Sequence, residues 1–472
     1  MKLTLDKIAE YTHGTIRGDK NAAEITLCTA SIDSRRVGED CLFIALKGEN
    51  TDGHLYVDKA LEAGAGAALV VKGKYEGNGN AVETEDTARA MGDIAAGILR
   101  DRTKPLFKIA VTGSVGKTTT KDMAAFVIAR HMKTLKSEMN FNNEYGLPLT
   151  VMRLEEDHEA LITEMGMRGI GQIEYLTNIV CPNAAVITNI GVSHLENLGT
   201  RENILRAKLE VCKGLSQNTQ KGISKRPALI LNGDNDMLSN ETLVRSILKE
   251  YGADDIDILY FGTEENSSVR AENIHGSSYE LITPEGRFKI NLNVPGVHNV
   301  YNSMAAVCLA MQAGIAAEDA VKDIELFGDE VSRQKLIPVI WGTVIDDAYN
   351  ASPDSMNASL SVLQGLDVDI RIAALGDMLE LGSMSDASHR KVGALASDIA
   401  DVLLAVGPLS HLYCESFKGR KIQARDSAEG ARLLLPIIHE YENKGLRVGV
   451  LVKGSNAMRM GAVSDALISN LT

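Results

Sequence analysis

The sequence is poor in aromatic side chains, which make up 4% of its 472 residues and include a single Trp. Its cores must therefore be built from Ala, Leu, Ile and Val, which suits helices laid on sheets. Cysteine is scarce as well. The six present (Cys28, Cys41, Cys181, Cys212, Cys308, Cys414) are scattered, with no Cys-x-x-Cys pair. That spacing supports neither a disulfide framework nor a zinc site, and it points to a reducing compartment. No apolar run approaches about 18 residues, so no membrane span is expected. The first residues, Met1 to Asp6, carry charge early and lack an apolar stretch of the secretory type. A cytoplasmic location is the expectation. Positive charge is in deficit: 49 Lys and Arg face 63 Asp and Glu, for a net charge of −14. An acidic surface repels phosphate backbones and argues against nucleic acid as a partner.

What is present is an ordinary globular composition, 44% apolar and 24% charged. Three α/β regions are expected, at residues 1–100, 101–325 and 326–472. The first holds the strands Phe43–Leu46 and Ala67–Val71 with one helix, Val57–Ala63, between them. The second alternates strands (Lys108–Val111, Ala160–Glu164, Ala184–Thr188, Ala228–Leu231) with helices (Thr118–Lys133, Ile173–Ile179). Such alternation predicts a parallel sheet covered on both faces. A β-rich excursion over 258–294 follows, and a helix at Asn299–Ala313 closes the region. The third has strands at Thr343–Ala348, Arg371–Leu375, Val402–Val406 and Arg447–Val452.

One motif carries explicit chemistry. Thr112-Gly113-Ser114-Val115-Gly116-Lys117-Thr118 stands between a predicted strand and a predicted helix. Backbone amides at such a helix start converge on an anion, and the glycines let the chain approach phosphate oxygens. Lys117 can neutralise the β- and γ-phosphates, and the Thr118 hydroxyl can bind Mg²⁺. Val111 stands where the full Walker pattern has its first Gly, so only the second half of that motif is present. ATP is the expected nucleotide.

Further polar residues fall just after predicted strands, where ligands gather in parallel sheets. They are Glu164, His194, the Asp346–Asn350 run, Asp377 with Glu380, and Lys453 with Ser455. Each alone is as readily a cap or turn residue, and Asp354-Ser355 reads as a helix cap. Gly166-Met167-Arg168-Gly169-Ile170-Gly171 has the order GxxGxG, the wrong order for a dinucleotide fingerprint.

These pieces together resemble the Mur ligases. The resemblance rests on the phosphate loop, Asn142-Asn143-Glu144-Tyr145-Gly146-Leu147-Pro148, Glu164-Met165-Gly166, Thr188–Gly191 with His194-Leu195-Glu196, His298-Asn299 and Asp347–Asn350. It runs from about Ser31 to the C-terminus. Tyr349–Met356, Gly376–Gly382 and Val452–Met460 place the chain nearest the branch that joins D-alanyl-D-alanine to UDP-N-acetylmuramoyl-tripeptide.

The resemblance implies three domains: an N-terminal α/β UDP-binding domain, a central P-loop ATPase domain and a C-terminal Rossmann-like domain that closes on ATP. It implies ATP and Mg²⁺ as cofactors, an acyl-phosphate intermediate, a role in cytoplasmic peptidoglycan precursor synthesis, and a monomer. Lys117, Glu164, His194 and Lys208 are the implied catalytic residues. Thr118, Glu164, His194 and Lys208, the last as a carbamate, are the implied metal ligands. Thr112 to Thr118, Asn299, Arg333 and Asp347 would contact ATP. Ser31, Asp33, Ser34, Arg35, Asp52 and His54 would contact the UDP moiety. Asn143, Tyr349 and Asn350 complete the implied substrate set. Two positions depart from the family pattern: Val115 replaces a Ser or Asn, and Ser352 an Asn. The competing expectations are a sister ligase that adds a single amino acid and a Mur-like protein without turnover.

Overall fold

The computed structural model describes residues 2–48, 51–138, 140–218, 226–328 and 334–469. Three sheets of more than two strands organise them. The first has five strands in the spatial order Thr15–Arg17, Ala81–Thr84, Ala67–Val71, Cys41–Ile44, Thr29–Ser31. All its pairings are parallel except the first. This region is more helical than its sequence suggested. A 14-residue helix, Thr87–Arg100, follows the sheet, and Asp86 caps it by accepting from Ala88 N and Arg89 N.

The second sheet has nine strands. Its parallel heart runs Thr134–Lys136, Ala160–Glu164, Phe107–Thr112, Ala184–Ile187, Ala228–Asn232, Asp257–Gly262. The central strands are nearly all apolar because both faces are covered. Ile109 and Val111 enter one core layer and Ala110 the other, as the two-residue alternation of a strand requires. The expected β excursion is a continuation of this sheet: Val269–His275, Ser278–Thr283 and Gly286–Asn291 extend its edge. The helix after the phosphate loop spans Lys117–Ile128 and stops short of its expected end, because the chain must return to pair Thr134 with Ala160.

The third sheet has six strands in the order Lys335–Val339, Gly342–Asp347, Val448–Lys453, Ile370–Gly376, Val402–Val406, Arg420–Ala424. Its outermost strand, Lys335–Val339, is antiparallel to its neighbour and carries Pro338, which only an edge tolerates. Among the described residues no helix is long and apolar enough to cross a membrane.

Candidate active site

The strand Phe107–Thr112 ends in a loop whose shape depends on two glycines. Gly113 has φ +147° and Gly116 φ +80°. A Cβ on Gly113 would overlap the Thr188 hydroxyl, and one on Gly116 would lie 2.7 Å from Asn302 Oδ1. Asn189, one residue past Thr188, fastens the loop: its Oδ1 accepts from Ser114 N at 3.1 Å and Val115 N at 2.9 Å. Gly191 N donates to Ser114 Oγ at 2.9 Å. Lys117 Nζ lies over the turn and donates to Gly113 O at 2.9 Å.

Glu164 ends the neighbouring strand and is 2% exposed. Its Oε2 accepts from Thr118 Oγ1 at 2.6 Å, and its Oε1 from Asn142 Nδ2 at 2.9 Å. Lys121 Nζ stands 3.8 Å from the same carboxylate. Burial pushes the Glu164 carboxyl upward, but Lys117, Thr118, Lys121 and Asn142 outweigh it, so the group stays below the ordinary glutamate range and ionised. Lys208, on the helix Arg201–Leu209, is also 2% exposed. Burial, with Lys117 nearby, holds its ammonium well below the usual lysine value. His194 has φ +64° and caps the short helix Leu195–Leu198. Its Nδ1 comes within 2.7 Å of Glu380 Oε2 from the third sheet's domain, off the line of a hydrogen bond.

These groups open onto one cavity of about 2900 Å³, walled by all three regions. Ser114 to Thr118, Asn143, Glu164, His194 and Lys208 line it from the central region, and Asp33, Ser34 and Arg35 from the first. From the third come Asp347, Tyr349, Asn350 and Glu380. Asp347 is tied at 2.6 Å to Lys453 Nζ and at 2.6 Å to Ser359 Oγ.

Several expected residues sit elsewhere. Thr112 is fully buried and donates to Met165 O. Asn299 is 2% exposed and spent on structure, donating to Pro295 O and accepting from Asn302. The residues of that helix facing the cavity are His298, Tyr301 and Asn302. Burial pushes His298 down to about 4. Both nitrogens of His54 are engaged, Nδ1 with Asp52 Oδ1 at 2.6 Å and Nε2 with Val71 N at 3.0 Å. Neither His54, Asp52 nor Ser31 lines the cavity; Lys47, Thr51 and Tyr56 do. Those three follow the buried strand Cys41–Ile44, and a strand-end reading of that segment would have found them. Asp354 is not the helix cap: Ser352 is, with Pro353 in the first turn, while Asp354 turns toward Gly191. Arg333 lies outside the described residues.

The sequence compares with known proteins along its whole length. Profiles of the Mur ligase family catalytic domain, the Mur ligase middle domain and the Mur ligase glutamate ligase domain match residues 29–98, 111–310 and 333–445. A UDP-N-acetylmuramoyl-tripeptide–D-alanyl-D-alanine ligase of Haemophilus influenzae is 34% identical, over 99% of this chain and 98% of its own. The enzyme of that name from Bacillus subtilis is 35% identical, over 100% and 99%. This chain belongs to the Mur ligase family. Among solved structures, MurF from Acinetobacter baumannii superposes with a TM-score of 0.88 at 29% identity, covering 99% of both chains. MurF ligase from Thermotoga maritima in complex with ADP gives 0.78 at 25% identity, over 94% of this chain and 97% of that one.

Proposed function

We propose that this Mur ligase is an ATP-dependent carbon–nitrogen ligase that joins D-alanyl-D-alanine to UDP-N-acetylmuramoyl-tripeptide in peptidoglycan precursor synthesis. The observation that carries the reading is the cavity: the phosphate loop, Glu164 and the third-domain run Asp347–Asn350 face the same space. Full-length relatives bearing that activity in their names support it. Residues 1–100 would take the UDP moiety, 101–325 ATP, and 326–472 the dipeptide. Cytoplasmic location and a monomeric state complete the proposal.

The chemistry follows from the residues. The loop amides and Lys117 hold the ATP phosphates, and a carboxylate of the tripeptide attacks the γ-phosphorus, breaking its bond to the β,γ-bridging oxygen so that ADP leaves and an acyl phosphate forms. The dipeptide's amine then attacks the acyl carbon, the C–N bond forms, and phosphate leaves. Two anions must meet, so charge compensation and positioning supply most of the rate. Thr118 and Glu164 offer hydroxyl and carboxylate oxygens that suit Mg²⁺, and His194 would complete the set from the same cavity wall. When bound, the ion screens the phosphates from the attacking carboxylate.

Lys208 suits this site as a carbamate. Its burial favours the neutral amine, the form that combines with carbon dioxide, and the product is an anion. An ammonium there would repel a cation.

The test is phosphate release from ATP and Mg²⁺ with both UDP-tripeptide and D-alanyl-D-alanine present. Release with a single amino acid in place of the dipeptide would overturn the reading in favour of the sister ligase. Absence of turnover with every acceptor would favour a non-catalytic relative.

A further inference from the structure

Glu380 has no role in the chemistry above, yet it occupies an unusual position. It belongs to the Gly376-Asp377-Met378-Leu379-Glu380-Leu381-Gly382 segment that follows the strand Ile370–Gly376. Its backbone is left-handed, at φ +63°, and so is that of His194 facing it, at φ +64°. Non-glycine residues keep that conformation when the surrounding structure holds them there, and such positions gather at functional sites. The loop is pressed against the central domain: a Cβ on Gly382, at φ +53°, would lie 3.0 Å from Glu196 Cα. The two left-handed turns thus place one carboxylate 2.7 Å from the imidazole of His194, at the cavity wall.

The third domain presents three acids to the cavity: Asp347, Asp354 and Glu380. Asp347 is committed to Lys453 and Ser359. Asp354 is turned into the seam with Gly191. Asp354 is exposed too, but Glu380 is the one that reaches across to His194 of the central domain: 45% of its side chain is exposed, and among the described residues that imidazole is its single partner within ion-pair distance. The incoming dipeptide is a zwitterion, and the atom that must reach the reacting carbon is its nitrogen, which binds as an ammonium and must lose a proton before it attacks. A site that uses such a nitrogen needs a carboxylate beside the reaction centre, because an unpaired cation there would be repelled by Lys117, which lines the cavity, and lose its hydration without return.

Resting on the ligase reading above, we infer that Glu380 is the receptor for the ammonium group of the incoming dipeptide. Its contact with His194 marks the position where the nitrogen enters, next to the group that joins the third domain to the phosphate site. The ammonium takes the imidazole's place beside the carboxylate, which holds the nitrogen at the domain seam.

The test uses the full chain with Mg²⁺, ATP, UDP-tripeptide and D-alanyl-D-alanine. Wild-type turnover with the dipeptide comes first; without it the ligase reading fails and Glu380 is not in question. Given that turnover, Glu380→Gln should raise the dipeptide KM at least tenfold and leave the KM values for ATP and UDP-tripeptide within twofold. Glu380→Asp, which keeps the charge and shortens its reach, should recover part of the loss. N-acetyl-D-alanyl-D-alanine lacks the positive charge, so its inhibition constant should be the same for wild type and Glu380→Gln. An unchanged dipeptide KM, or an equal rise in all three KM values, overturns the assignment. If Glu380→Gln does not fold, Glu380→Asp carries the same comparison.

Discussion

Thr118 donates its hydroxyl to Glu164 Oε2 at 2.6 Å, so the phosphate loop and the strand beside it share one buried hydrogen bond. Lys121 stands 3.8 Å from the same oxygen, and Lys121 and Glu164 are each 2% exposed or less. Removing Glu164 strips Lys121 of one carboxylate partner while Asp122 stays at 3.4 Å, and it leaves Thr118 Oγ1 and Asn142 Nδ2 without their buried acceptor. Glu164→Ala should therefore lower the unfolding free energy by about 3 kcal/mol, as well as abolish ligation. Urea titration checks the first and phosphate release the second. Wild-type stability in this variant would mean that Asp122 alone compensates Lys121.

Lys117 gives the opposite combination. Its Nζ donates to the carbonyls of Gly113 and Ser114, which lie at the cavity edge. Lys117→Ala should lower kcat/KM by about a thousandfold while the melting temperature stays within a few degrees. Wild-type turnover would remove the loop from the mechanism.

Two glycines separate strain from function. Gly116→Ala must adopt φ +80° and crowd Asn302, so stability should fall by about 1–2 kcal/mol and the KM for ATP should rise at least tenfold. Gly252 has φ +66°, and a Cβ there would meet nothing within 4 Å. It follows the helix Glu241–Glu250 and does not line the cavity. Gly252→Ala should show a similar loss of stability with normal kinetics. Equal kinetic loss in both variants would trace the effect to stability alone.

His298 should make stability depend on pH. Its value falls from 6.5 to about 4 in the folded chain, chiefly through burial. Between those two values the unfolded chain binds the extra proton and the folded chain does not, so stability rises with pH across that window. Acidification from 6.5 toward 4 should remove roughly 1–2 kcal/mol through this residue, allowing for its partial contact with solvent. The melting temperature of His298→Gln should fall less steeply over that range. Parallel curves would refute the assignment.

Ser352 caps the helix Pro353–Gln364 by accepting from Ser355 N, and Ser355 reciprocates. Ser352→Ala should cost about 1 kcal/mol. Ser352→Asn restores a side-chain oxygen at the cap and should recover most of it. Chemical denaturation of the three proteins distinguishes them, and equal midpoints would show that the cap contributes nothing.

Local pattern reveals what depends on local chemistry. The apolar runs at Ile109–Val111, Leu161–Ile162, Ala184–Ile187 and Leu229–Leu231 could only be strands buried on both faces. The helix Thr87–Arg100 escaped because Asp86, its cap, is unremarkable among the polar residues around it. The edge strand Lys335–Val339 escaped because one face is open and Pro338 interrupts it. At the site, Asn299 and His54 carry the right chemistry in the right motif, but their hydrogen-bonding groups are spent inside the protein. Which neighbour of a motif faces the cavity depends on the helix phase and on partners distant in the chain.

The three α/β regions, the nucleotide loop and the family are written in residue type and short spacing, so they can be read before any fold is known. Tertiary packing alone settled that Asn189 fastens the loop, that Lys121 stands behind Glu164, and that Glu380 meets His194. Those pairs are brought together by sheet order and by the packing of one domain on another. No local propensity specifies a contact between residues nearly two hundred positions apart; the shared burial of the elements that carry them does.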